Sequence, residues 1–243
     1  MVENPVWADY RYLFDESYRS ILMEFMAWDV LRVQPYSMEF INGEAKWKFH
    51  DFIPIINHWS RLFEYPWSMM KADFKKDDVV LDAGGANALI QYYAALRCKE
   101  VINLDLSEHY LKLANDIRLR NYFRNITLQQ GNLESILYPD GWFDKVLCIS
   151  VLEHSENPEK ILYEMLRVLK LGGRLIVTMD ISDGKYDNFC IDEERAREIV
   201  QKFGMYYPPQ TDQTLIYNVR MAKGGEDRGF IKTSVLCFCI DKR

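Results

Sequence analysis

The sequence predicts an α/β fold: a doubly wound, mostly parallel seven-strand sheet ending in an antiparallel hairpin, preceded by a helical, aromatic-rich extension. Three observations predict it. From residue 77 onward, short apolar runs alternate with helical stretches, the pattern of strands joined by crossover helices. The last two strand-like runs have no helix between them, so they pair antiparallel. Before residue 75 the strand pattern gives way to helical periodicity and dense aromatics.

In the extension, Ile21, Leu22, Phe25, Met26 and Leu31 recur near 3.6 residues between Asp15 and Val33, and Pro35 ends that helix. An ambiguous stretch with an Asn42-Gly43 turn follows. Ile55, Ile56, Trp59, Leu62 and Phe63 set a second helix running toward Pro66, and Trp67 to Phe74 adds another turn or two. Asp78 to Asp82 is the first strand of the sheet and stops in Gly84-Gly85. Helix Ala86 to Leu96, strand Val101 to Asp105, helix Ser107 to Tyr122 and strand Ile126 to Gln129 come next. Phe143 to Ser150 is strand, Pro158 to Lys170 helix, Arg174 to Met179 strand and Asp192 to Phe203 helix. Thr214 to Arg220 and Thr233 to Ile240 form the hairpin, joined by a polar glycine-rich loop from Lys223 to Gly229. The expected organisation is a helical cap or lid over residues 1–74 and a ligand-binding sheet domain over 75–243.

Composition narrows the function. The 243 residues are 49% hydrophobic and 27% charged, an ordinary globular balance that excludes disorder. A net charge of −6 argues against a nucleic-acid partner, whose footprint is a basic stripe. No apolar run approaches the roughly 18 residues of a membrane span, and MVENPVWADYRYLF lacks the basic-then-apolar layout of a signal peptide. Five cysteines without a CxxC pair disfavour a disulfide framework or zinc knuckle. These features together lead to the expectation of a cytoplasmic protein with neither a nucleic-acid nor a membrane partner.

An open parallel sheet binds ligands at the carboxyl ends of its strands. There, Leu81-Asp82-Ala83-Gly84-Gly85-Ala86-Asn87-Ala88 supplies small residues that admit a ligand to the backbone, with helix amides beyond. Asp105 closes the neighbouring strand just before Leu106, where a carboxylate can accept from both hydroxyls of a ribose; the alternative is a cap on the Ser107 helix. Gly131-Asn132-Leu133 follows the third strand, where an amide can pair with an adenine edge and a leucine can cover its face. Phe143 to His154 is a strand running into a polar corner, and Leu171-Gly172-Gly173-Arg174 turns into the fifth strand.

At this point the sequence resembles class I, Rossmann-like S-adenosylmethionine-dependent methyltransferases, closely over Asp77 to Met179 and loosely over the hairpin. FDKVLCISVLEHSENPEKILYEMLRVLKLGGRLIVT carries the resemblance best. It implies S-adenosylmethionine as cofactor, with Asp82, Ala83, Gly84 and Gly85 cradling the methionine part. It also implies Asp105 and Leu106 at the ribose, Asn132 and Leu133 beside adenine, and Ser150 and Val151 at the sulfonium end. The usual Gly-x-Gly-x-Gly reads Gly84-Gly85-Ala86-Asn87-Ala88, and alanine there requires a negative φ. A nicotinamide dinucleotide would need glycines where Ala86 and Leu89 stand.

The implied activity is methyl transfer to a small-molecule acceptor through oxygen, nitrogen or carbon. The alternative is a catalytically silent binding or partner subunit. His154, four residues past Ser150, is the candidate general base, against a loop-ordering role. Glu153 beside it serves chemistry or backbone amides. His50, His58 and His109 fall on helical or pre-helical segments as surface or packing residues. No Asn/Asp-Pro-Pro-Tyr follows the fourth strand. Asp180, Asp183, Asp187 and Asn188 are expected in a solvated loop rather than a metal site. Trp7, Tyr10 and Tyr18 are expected to cover the cleft as an aromatic lid; the alternative is packing on the domain or on a second subunit of a homodimer.

Overall fold

The alternation after residue 77 folds into one sheet in the computed structural model, which describes residues 2–28, 38–41, 44–47, 60–183, 191–223 and 226–243. The strands are β1 (Val2–Trp7), β2 (Met38–Ile41), β3 (Glu44–Trp47), β4 (Val79–Ala83), β5 (Glu100–Asp105), β6 (Ile126–Gln130), β7 (Phe143–Ile149), β8 (Leu169–Ser182), β9 (Ile191–Asp192), β10 (Tyr217–Lys223) and β11 (Glu226–Asp241). The α-helices are α1 (Glu16–Trp28), α2 (Arg61–Ala72), α3 (Ile90–Ala95), α4 (Glu108–Arg120), α5 (Pro158–Val168) and α6 (Glu193–Lys202). The main sheet runs β1-β11-β8-β7-β4-β5-β6, with β10 on β11 and β9 on β8; β2 and β3 pair separately. Strands β6, β5, β4, β7 and β8 are mutually parallel, and β11 is antiparallel to β8. The chain leaves β4 for β5 and β6 on one side, then returns to β7 on the other. That reversal opens a crevice between the ends of β4 and β7.

Both faces of the sheet are covered, which is why its central strands read as unbroken apolar runs. Val80 points into a cluster shared with Phe25, Trp67, Tyr92 and Ile117 of α1, α2, α3 and α4. Its neighbour Leu81 points the other way, toward Leu162 and Met165 of α5 and Ile199 and Val200 of α6. Full burial of each such side chain contributes about 1.5–3 kcal/mol.

The extension departs from its helical expectation. Val2–Trp7 is a strand of the main sheet, antiparallel to β11 with Trp7 opposite Leu236. Trp7 is buried, donates Nε1–H to the Pro208 carbonyl at 3.0 Å and meets Tyr207 edge-on. Tyr18 is buried as well, in contact with Tyr12 and Phe63, and Tyr10 is partly exposed beside Phe14. Trp7 and Tyr18 are therefore core residues rather than lid residues, because their apolar area is spent on the sheet and on α2. The second expected helix does not stop at Pro66, which lies inside α2. Proline has no N–H for the Leu62 carbonyl four residues back. The Tyr18 hydroxyl donates to that carbonyl instead, at 2.6 Å. The expected hairpin forms, but the expected Lys223–Gly229 loop is mostly strand, with a register shift between Met221 and Ala222 near Gly229. His50, His58, Asp187 and Asn188 lie outside the described residues.

Candidate active site

A cleft of about 900 Å³ opens at the switch point. Its floor is the turn after β4. Gly84 has φ +70°, and a Cβ there would lie 2.8 Å from Val151 Cγ2. A Cβ on Gly85 would fall 2.3 Å from Asp82 Oδ2, so the turn must be bare for the backbone to pass over the carboxylate. Ala86 has φ +43°, which corrects the expectation of a negative φ at this alanine. An alanine is held in the left-handed region at a cost of about 1–2 kcal/mol. Hydrogen bonds hold it there: Asn103 Nδ2 donates to its carbonyl at 2.7 Å and also to Gln91 Oε1 at 2.9 Å, while the Ala86 N–H donates to Asp105 Oδ2 at 2.9 Å.

Asp105 does not cap the next helix; Ser107 does, its Oγ accepting from the Tyr110 N–H. Asp105 Oδ1 instead accepts from the N–H of that cap residue at 2.7 Å, and lone pairs remain on both carboxylate oxygens at the cleft. Asp82 is buried, and its Oδ2 has no hydrogen-bond partner among the described residues. Burial, with the Asp105 charge behind it, pushes the Asp82 carboxyl up to about 7. A cation in the cleft would supply the missing partner.

Of the expected cofactor residues, Asp82, Gly84, Gly85, Asp105, Leu106, Asn132, Leu133, Ser150 and Val151 all line this cleft. Ala83 does not; it is core. Leu106 is 71% exposed on the rim, apolar area that a flat ring would cover. His154 lines the cleft from an exposed position at the end of the short 3₁₀ turn Leu152–His154. Trp7, Tyr10 and Tyr18 are not among the lining residues.

The extension reaches the cleft by a different route, through Arg61 and Tyr65 of α2, which the sequence reading did not single out. Behind them lies a buried polar cluster. Glu64 has no exposed surface; it pairs with Arg61 Nη1 through Oε2 and accepts from Ser150 Oγ at 2.5 Å and Thr178 Oγ1 at 2.6 Å through Oε1. Burial pushes Glu64 up, but the Arg61 charge and these hydroxyls outweigh it and hold its carboxyl below the usual range. Glu153 and Asp180 complete the cluster, both raised by burial and by neighbouring carboxylates, Glu153 to about 8. Asp180 is therefore a buried strand residue, not part of a solvated loop. A lone Glu at helical spacing carries no signal of such a role.

Residues 81–177 match a family described as a methyltransferase domain. The ubiquinone/menaquinone biosynthesis C-methyltransferase UbiE of Yersinia pestis is 36% identical over 102 residues, 40% of this chain. That match spans 41% of the relative's length. Among solved structures, the YcgJ protein from Bacillus subtilis superposes with a TM-score of 0.60 at 16% identity, over 74% of this chain and 98% of that one. A SAM-dependent methyltransferase from Aquifex aeolicus gives 0.52 at 18% identity, over 75% and 94%. The cleft fits the cofactor that such domains use: a carboxylate oxygen without a partner, a bare turn and a ribose-ready Asp105 stand in the order of its parts. With the sheet order, the switch-point cleft and these matches in agreement, residues 81–177 match a methyltransferase domain and carry the fold of S-adenosylmethionine-dependent methyltransferases.

Proposed function

We propose that this chain is a cytoplasmic S-adenosylmethionine-dependent methyltransferase with a small-molecule acceptor and neither a nucleic-acid nor a membrane partner. One observation carries the reading. The strand order β7-β4-β5-β6 sets complementary cleft residues in a row: Arg61, bonded to Ser150 beyond β7, then Asp82 of β4, Asp105 of β5 with Leu106, and Asn132 and Leu133 after β6. A zwitterionic amino-acid tail, a ribose and an adenine need those groups in that order. Arg61 would hold the carboxylate and Asp82 the ammonium, since Arg61 is the one lysine or arginine among the described lining residues. When bound, S-adenosylmethionine supplies a methyl group on a sulfonium for in-line displacement.

The protein's part is to position the acceptor and exclude water. For a hydroxyl acceptor, His154 on the rim takes up the proton. The relative's printed name, a C-methyltransferase, brings carbon acceptors into the same frame. The net charge of −6 supports a small acceptor over nucleic acid. Calorimetry with S-adenosylhomocysteine should show saturable 1:1 binding, and a screen for its release over hydroxylated, amine and activated-carbon metabolites should find an acceptor. With a hydroxyl acceptor, His154→Ala should lower kcat by about 10²–10⁴. No binding of S-adenosylhomocysteine would end the reading.

A further inference from the structure

We propose that Glu64 is a positioning residue for the cofactor's amino-acid tail, an inference that rests on the function proposed above. Glu64 lies wholly buried on α2, yet it ties three elements together at the end of the cleft. Its carboxylate accepts from Ser150 just beyond β7, from Thr178 on β8, and from Arg61 one helical turn back. Arg61 Nη1 also donates to Ser150 Oγ at 2.7 Å, closing a triangle of guanidinium, hydroxyl and carboxylate. The guanidinium lies over the Tyr65 ring, 5.7 Å from its centroid, which fixes its plane.

Every described hydrogen bond of Arg61 uses Nη1. The Nε–Nη2 edge is left as the planar fork that matches a carboxylate with two hydrogen bonds. Arg61 lines the cleft, and its side chain is 21% exposed there. Glu64 therefore does two things for the tail. It neutralises a cation that would otherwise repel the nearby sulfonium, and it turns the guanidinium so that the free edge meets the carboxylate. Ser150, at φ +52°, is held by the same carboxylate in a backbone conformation that serine rarely adopts.

The test compares two probes, S-adenosylhomocysteine and 5′-methylthioadenosine, which lacks the amino-acid tail. Glu64→Gln keeps the shape but turns an amide N–H₂ or a neutral oxygen toward Arg61. Calorimetry on this variant should show S-adenosylhomocysteine weakened roughly tenfold or more, with 5′-methylthioadenosine within about threefold of wild type. Equal loss for both probes, or no loss for either, overturns the proposal and leaves Glu64 as a tie between α2 and the sheet. Wild type that fails to bind S-adenosylhomocysteine overturns the cofactor reading instead, so the two failures are distinguishable. If Glu64→Gln does not fold, the nearly isosteric Thr178→Val, outside the cleft lining, reads the same contrast. Selective weakening of S-adenosylhomocysteine supports the proposal there, and equal or absent weakening overturns it.

Discussion

The backbone N–H of Ala86 donates to Oδ2 of Asp105 at 2.9 Å, tying the turn after β4 to the end of β5. The bond keeps an alanine in the left-handed region and orients the carboxylate expected at the ribose. One carboxylate thereby shapes the floor of the cleft and also lines it.

Asp105→Ala removes both roles. S-adenosylhomocysteine affinity should fall by about 1.5–3 kcal/mol, the scale for hydrogen bonds to a charged group. Calorimetry beside a circular dichroism spectrum measures it. Unchanged affinity with an intact fold would remove Asp105 from the site.

The glycine turn should respond asymmetrically. Ala86→Gly relieves left-handed strain but loosens the unfolded chain, so it should leave stability unchanged or raise it by up to about 1 kcal/mol. Gly85→Ala places a methyl against Asp82 and should abolish binding, as should Gly84→Val against Val151. Urea melts and binding isotherms on the three variants check this. A Gly85→Ala protein that binds normally would put the cradle elsewhere.

Asp82 sets a pH dependence with a definite sign. Its folded value, about 7, lies above its ordinary 3.8, so the folded protein binds the extra proton between those limits. Ligand-free stability from this group should therefore fall as pH rises through that window. A cationic tail favours the ionised carboxylate, so binding below about pH 7 must expel a proton. Affinity should weaken as pH falls, by at most about tenfold per pH unit. Calorimetry at pH 6 in buffers of different ionisation enthalpy reads the released proton directly, and zero release contradicts the assignment.

The N-terminal strand should be needed for the fold. Trp7→Ala removes a buried indole and should cost about 3–5 kcal/mol. Deleting residues 1–18 exposes the β11 edge and takes away the Tyr18 hydroxyl that satisfies Leu62. That truncation should aggregate or lose binding together with stability. Denaturant melts and sedimentation distinguish these outcomes, and a stable, binding-competent truncation would refute the structural role of β1.

The sheet domain was legible because its signals are local. Val79 to Ala83 carries its apolar run, its stop at Gly84-Gly85 and the following helix within one stretch of chain, and Asp105 and Asn132 follow at strand ends that the alternation locates. The N-terminal region was not legible in this way. Val2–Trp7 contains a proline and two charge-bearing or amide side chains, too little alternation to announce a strand, and it becomes one only because β11 offers an edge. Pro66 looked like a helix end because the hydroxyl that repairs the helix comes from Tyr18, 44 residues earlier.

Sequence alone determined the fold class, the cleft at the switch point and most of the residues that line it, since each depends on spacing within a strand–turn–helix unit. Tertiary structure alone decided that Glu64 meets Ser150 and Thr178, 86 and 114 residues away, and that Arg61 becomes the cation of the cleft. The physical reason is burial: a carboxylate with no exposed surface is tolerable only where packing brings a guanidinium and hydroxyls to it, and periodicity along the chain cannot encode that meeting.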